Sequence, residues 1–204
     1  MPIKDLITVW NDQKLIKKNI DFLRIPTKDV KFPITNITKH IIENLIDTYQ
    51  SVPCAGIAAN QIGYNKKIFI GMKHDKEPSV QEDSTQNIDD VIPNSQNYEI
   101  YINPQIEKTY PNSTQIGSEG CLSIPEIELK IERFDNIKIK YYNVEGKAIK
   151  KPLSGFLSRL YQHELLHLEG KLMIEDAMNN IQILDLTNEK YSKLIIQLNE
   201  YINN

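Results

Sequence analysis

Residues 162–170 read QHELLHLEG, with His163 and His167 four apart and Glu164 directly after the first. Residues four apart are neighbours on a helix surface, so both rings can meet one ion if the stretch is helical. Its flanks argue for a helix. Ser154 is a helix-start residue and Gly170 a helix-stop residue. Between them Phe156, Leu160, His163 and His167 fall on one stripe, with Leu157, Tyr161 and Leu168 beside it. That apolar surrounding turns the histidines toward the core and makes this helix the expected centre of the fold.

The segments around it are strands more often than helices. KKIFIGM (66–72), YEIYIN (98–103), PQIEKTY (104–110), EIELKIE (126–132) and NIKIKYYN (136–143) carry β-branched and aromatic residues in short runs, and NVEGK (143–147) has turn chemistry. Two further helices are expected. Ile41, Ile42, Leu45, Ile46 and Tyr49 recur at helical spacing over 38–49, with Asn36 or Thr38 as the cap. Leu194, Ile195, Leu198 and Ile202 mark a last helix from about Asn188. SVPCAGIAANQIGYN (51–65) is small and glycine-punctuated and reads as a loop. Residues 74–97 are polar and acidic and read as an exposed insertion loop. There is no internal repeat. The expected fold class is α+β: short antiparallel strands around a central buried helix, in one domain over 1–204.

Composition narrows the function. A chain of 204 residues can bury a core without disulfides, and a net charge of −3 offers no basic field for nucleic acid. No apolar run is long enough to span a bilayer, and MPIKDLITVWNDQK at the start has no signal or transit character. The expectation is a cytoplasmic protein with no membrane partner. Cys54 and Cys121 are the two cysteines, and cytoplasmic thiols stay reduced. Each therefore needs its own explanation.

Two histidines and a flanking glutamate suit a division of labour in which the rings hold a metal and the carboxylate acts as general base. The plainer reading is a pair of hydrogen-bonded core histidines. A catalytic site needs a third protein ligand. The HExxHxxGxxH extension fails, because Gly170 fits but Met173 stands at the last place. Glu189 in NEKYSK resembles the downstream glutamate of other metallopeptidases, although Lys193 stands where an aspartate is wanted. Cys121 in SEGCLSIPE is the remaining candidate.

EGCLS (119–123) together with the two-histidine motif (163–167) resembles the peptide deformylase family. CAGIAANQ (54–61) is similar to the family's glycine-rich loop ending in glutamine, and order along the chain agrees. QHE, HLEGKL, Arg133 and the Asn103–Pro104 pair add to the likeness, which runs from about Leu23 to Met178. Three positions depart from the pattern. Cys54 occupies the loop's first glycine, Ala55 is small, and Leu166 replaces the usual aspartate before the second histidine. In the family that aspartate pairs with an arginine, so Arg133 must find another carboxylate or water.

The resemblance implies an enzyme that removes the formyl group from the N-terminal methionine of new proteins. Its partners would be formyl-methionyl nascent peptides, with transient ribosome contact. It implies Cys121, His163 and His167 as ligands of one divalent ion. By the same resemblance that ion would be Fe(II) in cells, with Zn(II), Ni(II) or Co(II) able to replace it. Glu164 is implied as general base, and the Gln61 side chain and Leu122 backbone N–H as oxyanion donors. Gly56, Ile57, Leu160 and Phe156 would line the substrate site, Glu119 would orient a ligand histidine, and Arg133 would support it. Cys54 reads as a small buried or half-buried thiol. The alternatives are a metallopeptidase that uses Glu189, and a degenerate family member that binds without turnover.

Overall fold

The computed structural model describes residues 4–11, 14–74, 97–177, 182–183 and 189–203, with side chains omitted at 176–177, 182–183 and 189–192. In chain order the elements are β1 (Trp10–Asn11), β2 (Lys14–Leu15), α1 (Lys17–Leu23), α2 (Asn36–Ser51), β3 (Gly56–Ala58), a 3-10 turn (Ala59–Ile62) and β4 (Ile68–Met72). Then follow β5 (Tyr98–Thr109), β6 (Thr114–Cys121), β7 (Ile124–Phe134), β8 (Asn136–Tyr142) and β9 (Ala148–Ser154). The chain ends in α3 (Gly155–Leu168), α4 (Met173–Ala177), β10 (Gln182–Ile183) and α5 (Glu189–Asn203). No helix among the described residues is long and apolar enough to cross a membrane.

Two antiparallel sheets flank α3. One has the order β3-β4-β5-β8-β9 and the other β10-β7-β6, and α3 contacts strands of both. The α+β expectation holds, with the helix central. Ser158, Tyr161, Leu165, His167 and Leu168 are all buried, so α3 faces protein nearly all round. Burying a Leu-sized side chain contributes about 1.5–3 kcal/mol, so these contacts fix the helix firmly. Its end is also fixed. The Gly170 N–H donates to His167 O and the Lys171 N–H to Leu166 O, a two-bond C-terminal cap. Gly170 has φ 73°, and a Cβ there would come within 2.6 Å of Arg24 O, so both conformation and space call for glycine.

Strands β7 and β8 form for the reason their sequences suggest. Ile127, Leu129 and Ile131 point inward while Glu128, Lys130 and Glu132 face out, and Ile137, Ile139 and Tyr141 repeat the pattern. Other expectations need correction. YEIYIN and PQIEKTY are one strand, β5, with a register shift after Ile102. Asn103 takes φ 49° there and its side chain brackets Val30, accepting from Val30 N–H at 2.8 Å and donating to Val30 O at 2.9 Å. Asparagine tolerates that left-handed geometry, so the strand passes through its proline step. The supposed loop 51–65 holds β3 and the 3-10 turn. β6 is not legible in the sequence, because its more buried alternate places hold Gln115, Gly117 and Glu119 where apolar residues would signal a strand.

The cap of α2 is Thr35, which accepts from Thr38 N–H, and neither Asn36 nor Thr38 takes that part. Ser154 holds the N-cap place of α3 without a side-chain bond. Phe156 is 40% exposed and does not join the buried stripe. Of the insertion, residues 75–96 lie outside the described residues. Its ends are tied, His74 N–H to Asn97 Oδ1 and Asn97 Nδ2 to His74 O, each at 2.9 Å.

Candidate active site

Strand β6 ends at Cys121 and β7 begins at Ile124, so Leu122 and Ser123 form a two-residue turn against α3. That turn sets the Cys121 Sγ 3.2 Å from His167 Nε2. His163 lies one turn earlier on α3, its ring centroid 5.1 Å from that of His167. The ligand-type atoms of Cys121, His163 and His167 all lie within 4.8 Å of one another, and all three residues are buried. A single cation can span such a group. Cys54 is far from this role: it is half-buried and unbridged, and burial together with Glu164 pushes its thiol up to about 12. Glu189 begins α5, but its side chain lies outside those described.

The electrostatics favour a cation at this point. Burial would raise the Cys121 thiol, but His167 and His163 beside it draw it well below its usual range. Burial would lower His163, yet Cys121 and Glu119 hold its proton up to about 10. The negative field that holds that proton would equally hold a metal ion. Burial also raises Glu164 to about 7, with the two histidines opposing and Cys121 adding to the rise. Glu164 Oε2 and His167 Nδ1 are buried without a hydrogen-bond partner among the described residues.

Behind His163 sits Glu119, which does more than the sequence suggests. Its Oε2 accepts from His163 Nδ1 at 2.9 Å, so the opposite ring nitrogen is turned toward Cys121. Arg133 grips the same carboxylate with Nε and Nη2, each at 2.9 Å. With Leu166 in place of an acid, Arg133 has found its carboxylate in Glu119. Arg159 adds a bond from Nη1 to Glu119 Oε1 at 2.6 Å and further bonds to Ile131 O and Gln115 O. Burial would raise Glu119, but His163 and Arg133 bring it down to about 2. Arg159 was missed by sequence reading, although its place four residues before His163 puts it on the same helical stripe.

Gly56 explains where Glu164 fits. A Cβ on Gly56 would come within 2.6 Å of Glu164 Oε1 and 2.9 Å of its Cδ. The glycine leaves room for the carboxylate as well as for anything that approaches from the cavity. Gly56→Ala is expected to push Glu164 aside and, with Glu164 as the general base that the sequence resemblance implies, to lower kcat by about tenfold to hundredfold. Steady-state kinetics with metal content measured alongside checks this, and an alanine variant with unchanged kcat would refute it.

A cavity of about 940 Å³ opens over the site. Its wall includes Cys54, Gly56, Leu122, Phe156, Leu160 and Glu164. Ile57 is a correction: it is fully buried among Ile41, Leu45 and Ile70, on the far face of β3, and does not line this cavity. Strand alternation sends it inward where Gly56 faces out. Gln61, at the end of the glycine loop, lies beside Cys121 with Nε2 3.7 Å from Sγ.

The family model described as polypeptide deformylase matches residues 12–182. The chain belongs to the polypeptide deformylase family.

Among deformylases, that of Thermotoga neapolitana is 34% identical over 137 residues, covering 67% of this chain and 70% of the relative. The crystal structure of the Thermotoga maritima deformylase superposes with TM-score 0.65 at 30% identity, covering 86% of this chain and 98% of that one. A Plasmodium falciparum deformylase structure gives TM-score 0.64 at 27% identity, covering 90% and 91%. The chain is thus a deformylase enzyme by family and fold, a hydrolase of protein biosynthesis. The family implies a divalent metal, and the Cys–His–His group is of the kind that could hold one.

Proposed function

We propose that this deformylase hydrolyses the formamide on the N-terminal methionine of newly made proteins, using one divalent ion held by Cys121, His163 and His167. The observation that carries the reading is the convergence of those three atoms within 4.8 Å beside Glu164, whose Oε2 has no hydrogen-bond partner among the described residues. A thiolate with two imidazoles suits Fe(II), Zn(II), Ni(II) or Co(II), and Fe(II) is the proposed cellular metal. When bound, the ion supplies Lewis acidity and makes water a stronger acid near neutral pH.

The chain's own residues do the rest. Glu164 takes the proton of the water that attacks the formyl carbon and passes it to the departing amine. Gln61 Nε2 and the Leu122 N–H donate to the oxygen that gains charge. Glu119 keeps His163 turned toward the ion, and Arg133 keeps Glu119 ionised and in place. β3 is the edge strand of its sheet, so an extended peptide can add alongside Gly56 through backbone hydrogen bonds. Phe156 and Leu160 offer apolar surface for the methionine side chain. The substrate is the formylated nascent chain, which places the enzyme in transient contact with the ribosome.

The test is formate release from formyl-Met-Ala-Ser by protein purified anaerobically and loaded with iron. Turnover is expected. No formate, with metal occupancy verified, would overturn the proposal in favour of a family member that binds without catalysis.

A further inference from the structure

Gln61 is held from two sides. Its Oε1 accepts from the Ala58 N–H at 2.8 Å, which fixes which end of the amide is which. Its Nε2 lies 3.2 Å from Ser123 Oγ. The same nitrogen is 3.7 Å from Cys121 Sγ, a long and weak contact, so its second hydrogen faces the Cys121, His163 and His167 group. A primary amide carries two hydrogens in one plane, so fixing one fixes the direction of the other.

Ser123 is fully buried, so bulk water does not compete for this bond. The backbones at both ends share one support. Ile7 N–H donates to Gln61 O at 2.8 Å and Val9 N–H to Ser123 O at 2.9 Å. Between them, Thr8 O accepts from Asn19 Nδ2 at 2.8 Å. A strap of three residues, anchored on α1, therefore holds Gln61 and Ser123 at a set separation.

We propose that Ser123 is a positioning residue for deformylation: its hydroxyl takes one Gln61 amide hydrogen and so aims the other at the developing oxyanion. The proposal rests on the reading of Gln61 as an oxyanion donor. Ser123 touches neither substrate nor metal in this scheme and acts through Gln61.

The test is a cycle of Ser123→Ala, Gln61→Ala and the double variant, all at matched metal content, with formyl-Met-Ala-Ser as substrate. Ser123→Ala is expected to lower kcat about tenfold, the size of one hydrogen bond, with KM little changed. Gln61→Ala is expected to lower it about a hundredfold or more. The double variant should be no slower than Gln61→Ala alone, because Ser123 then has nothing to aim. A second readout needs no turnover. The two side-chain amide hydrogens of Gln61 should give separate, slowly exchanging NMR signals in zinc-loaded wild type, and should exchange faster in Ser123→Ala. Unchanged kcat in Ser123→Ala, an equal loss in both backgrounds, or unchanged amide signals would each overturn the proposal. A wild type that releases no formate overturns the proposed function instead, and the amide signals then judge the Ser123–Gln61 link alone.

Discussion

Replacing Cys121 with serine is expected to strip the protein of tightly held metal, while Glu189→Gln leaves metal content unchanged. The thiolate is the only soft, charged donor among the three atoms that converge at the site. Its charge is favoured by His167 and His163 in spite of burial. A serine hydroxyl at the same place is neutral at pH 7 and hard, so it loses both charge and polarisability. Loss of a group that merely orients a ligand costs about 10–100-fold in metal affinity, and loss of the ligand itself should exceed that. The geometry argues that the variant folds. Cys121 ends β6 at a two-residue turn whose backbone pairing with Ile124 does not involve the side chain. Metal analysis after dialysis, with thermal unfolding as a fold check, gives the answer. Retained metal in Cys121→Ser with loss in Glu189→Gln would transfer the third-ligand role to Glu189 and the enzyme to a different mechanism.

The sequence exposed the centre of the fold and left its periphery obscure, for reasons that differ by residue. The α3 helix was legible because apolar periodicity and an end glycine mark a helix whatever surrounds it. β7 and β8 were legible because each has one wet face. β3 was not, since three residues, Gly56–Ala58, are too few to show a period. The split of β5 into two segments came from Asn103 and Pro104, which punctuate most chains. Here the Asn103 side chain, bracketing Val30, turns the interruption into a bend. In the site, short motifs brought out the residues that could touch a metal or substrate. They brought out Glu119 and Arg133 as supports of a ligand histidine, but not Arg159. That Glu119 gathers His163, Arg133 and Arg159 on one carboxylate depends on three elements meeting, and no local pattern records such a meeting. Ile57 was misplaced by one step of strand alternation, which a three-residue strand cannot set in advance.

Glu164→Gln should separate chemistry from binding more sharply than any other change. Glu164 is 97% buried by exposure (3% exposed), one residue beyond His163 and therefore turned away from the ligand stripe. One oxygen lies against Gly56 and the other has no hydrogen-bond partner among the described residues. Burial, the largest influence, lifts the carboxyl to about 7, where a group can both accept and return a proton. Glutamine keeps the size and the place but cannot take the proton. The expected result is a fall in kcat of about 10²–10⁴-fold, typical for loss of a general acid–base, with metal content and KM nearly unchanged. Stability should move the other way. Removing a buried charge with one oxygen left without a hydrogen-bond partner among the described residues relieves its desolvation, so the variant should unfold at a higher temperature than wild type. Loss of metal in the glutamine variant would make Glu164 a ligand, and full activity would assign proton transfer to another group. Lower activity joined to higher stability is the signature of a residue kept for chemistry against the interest of the fold.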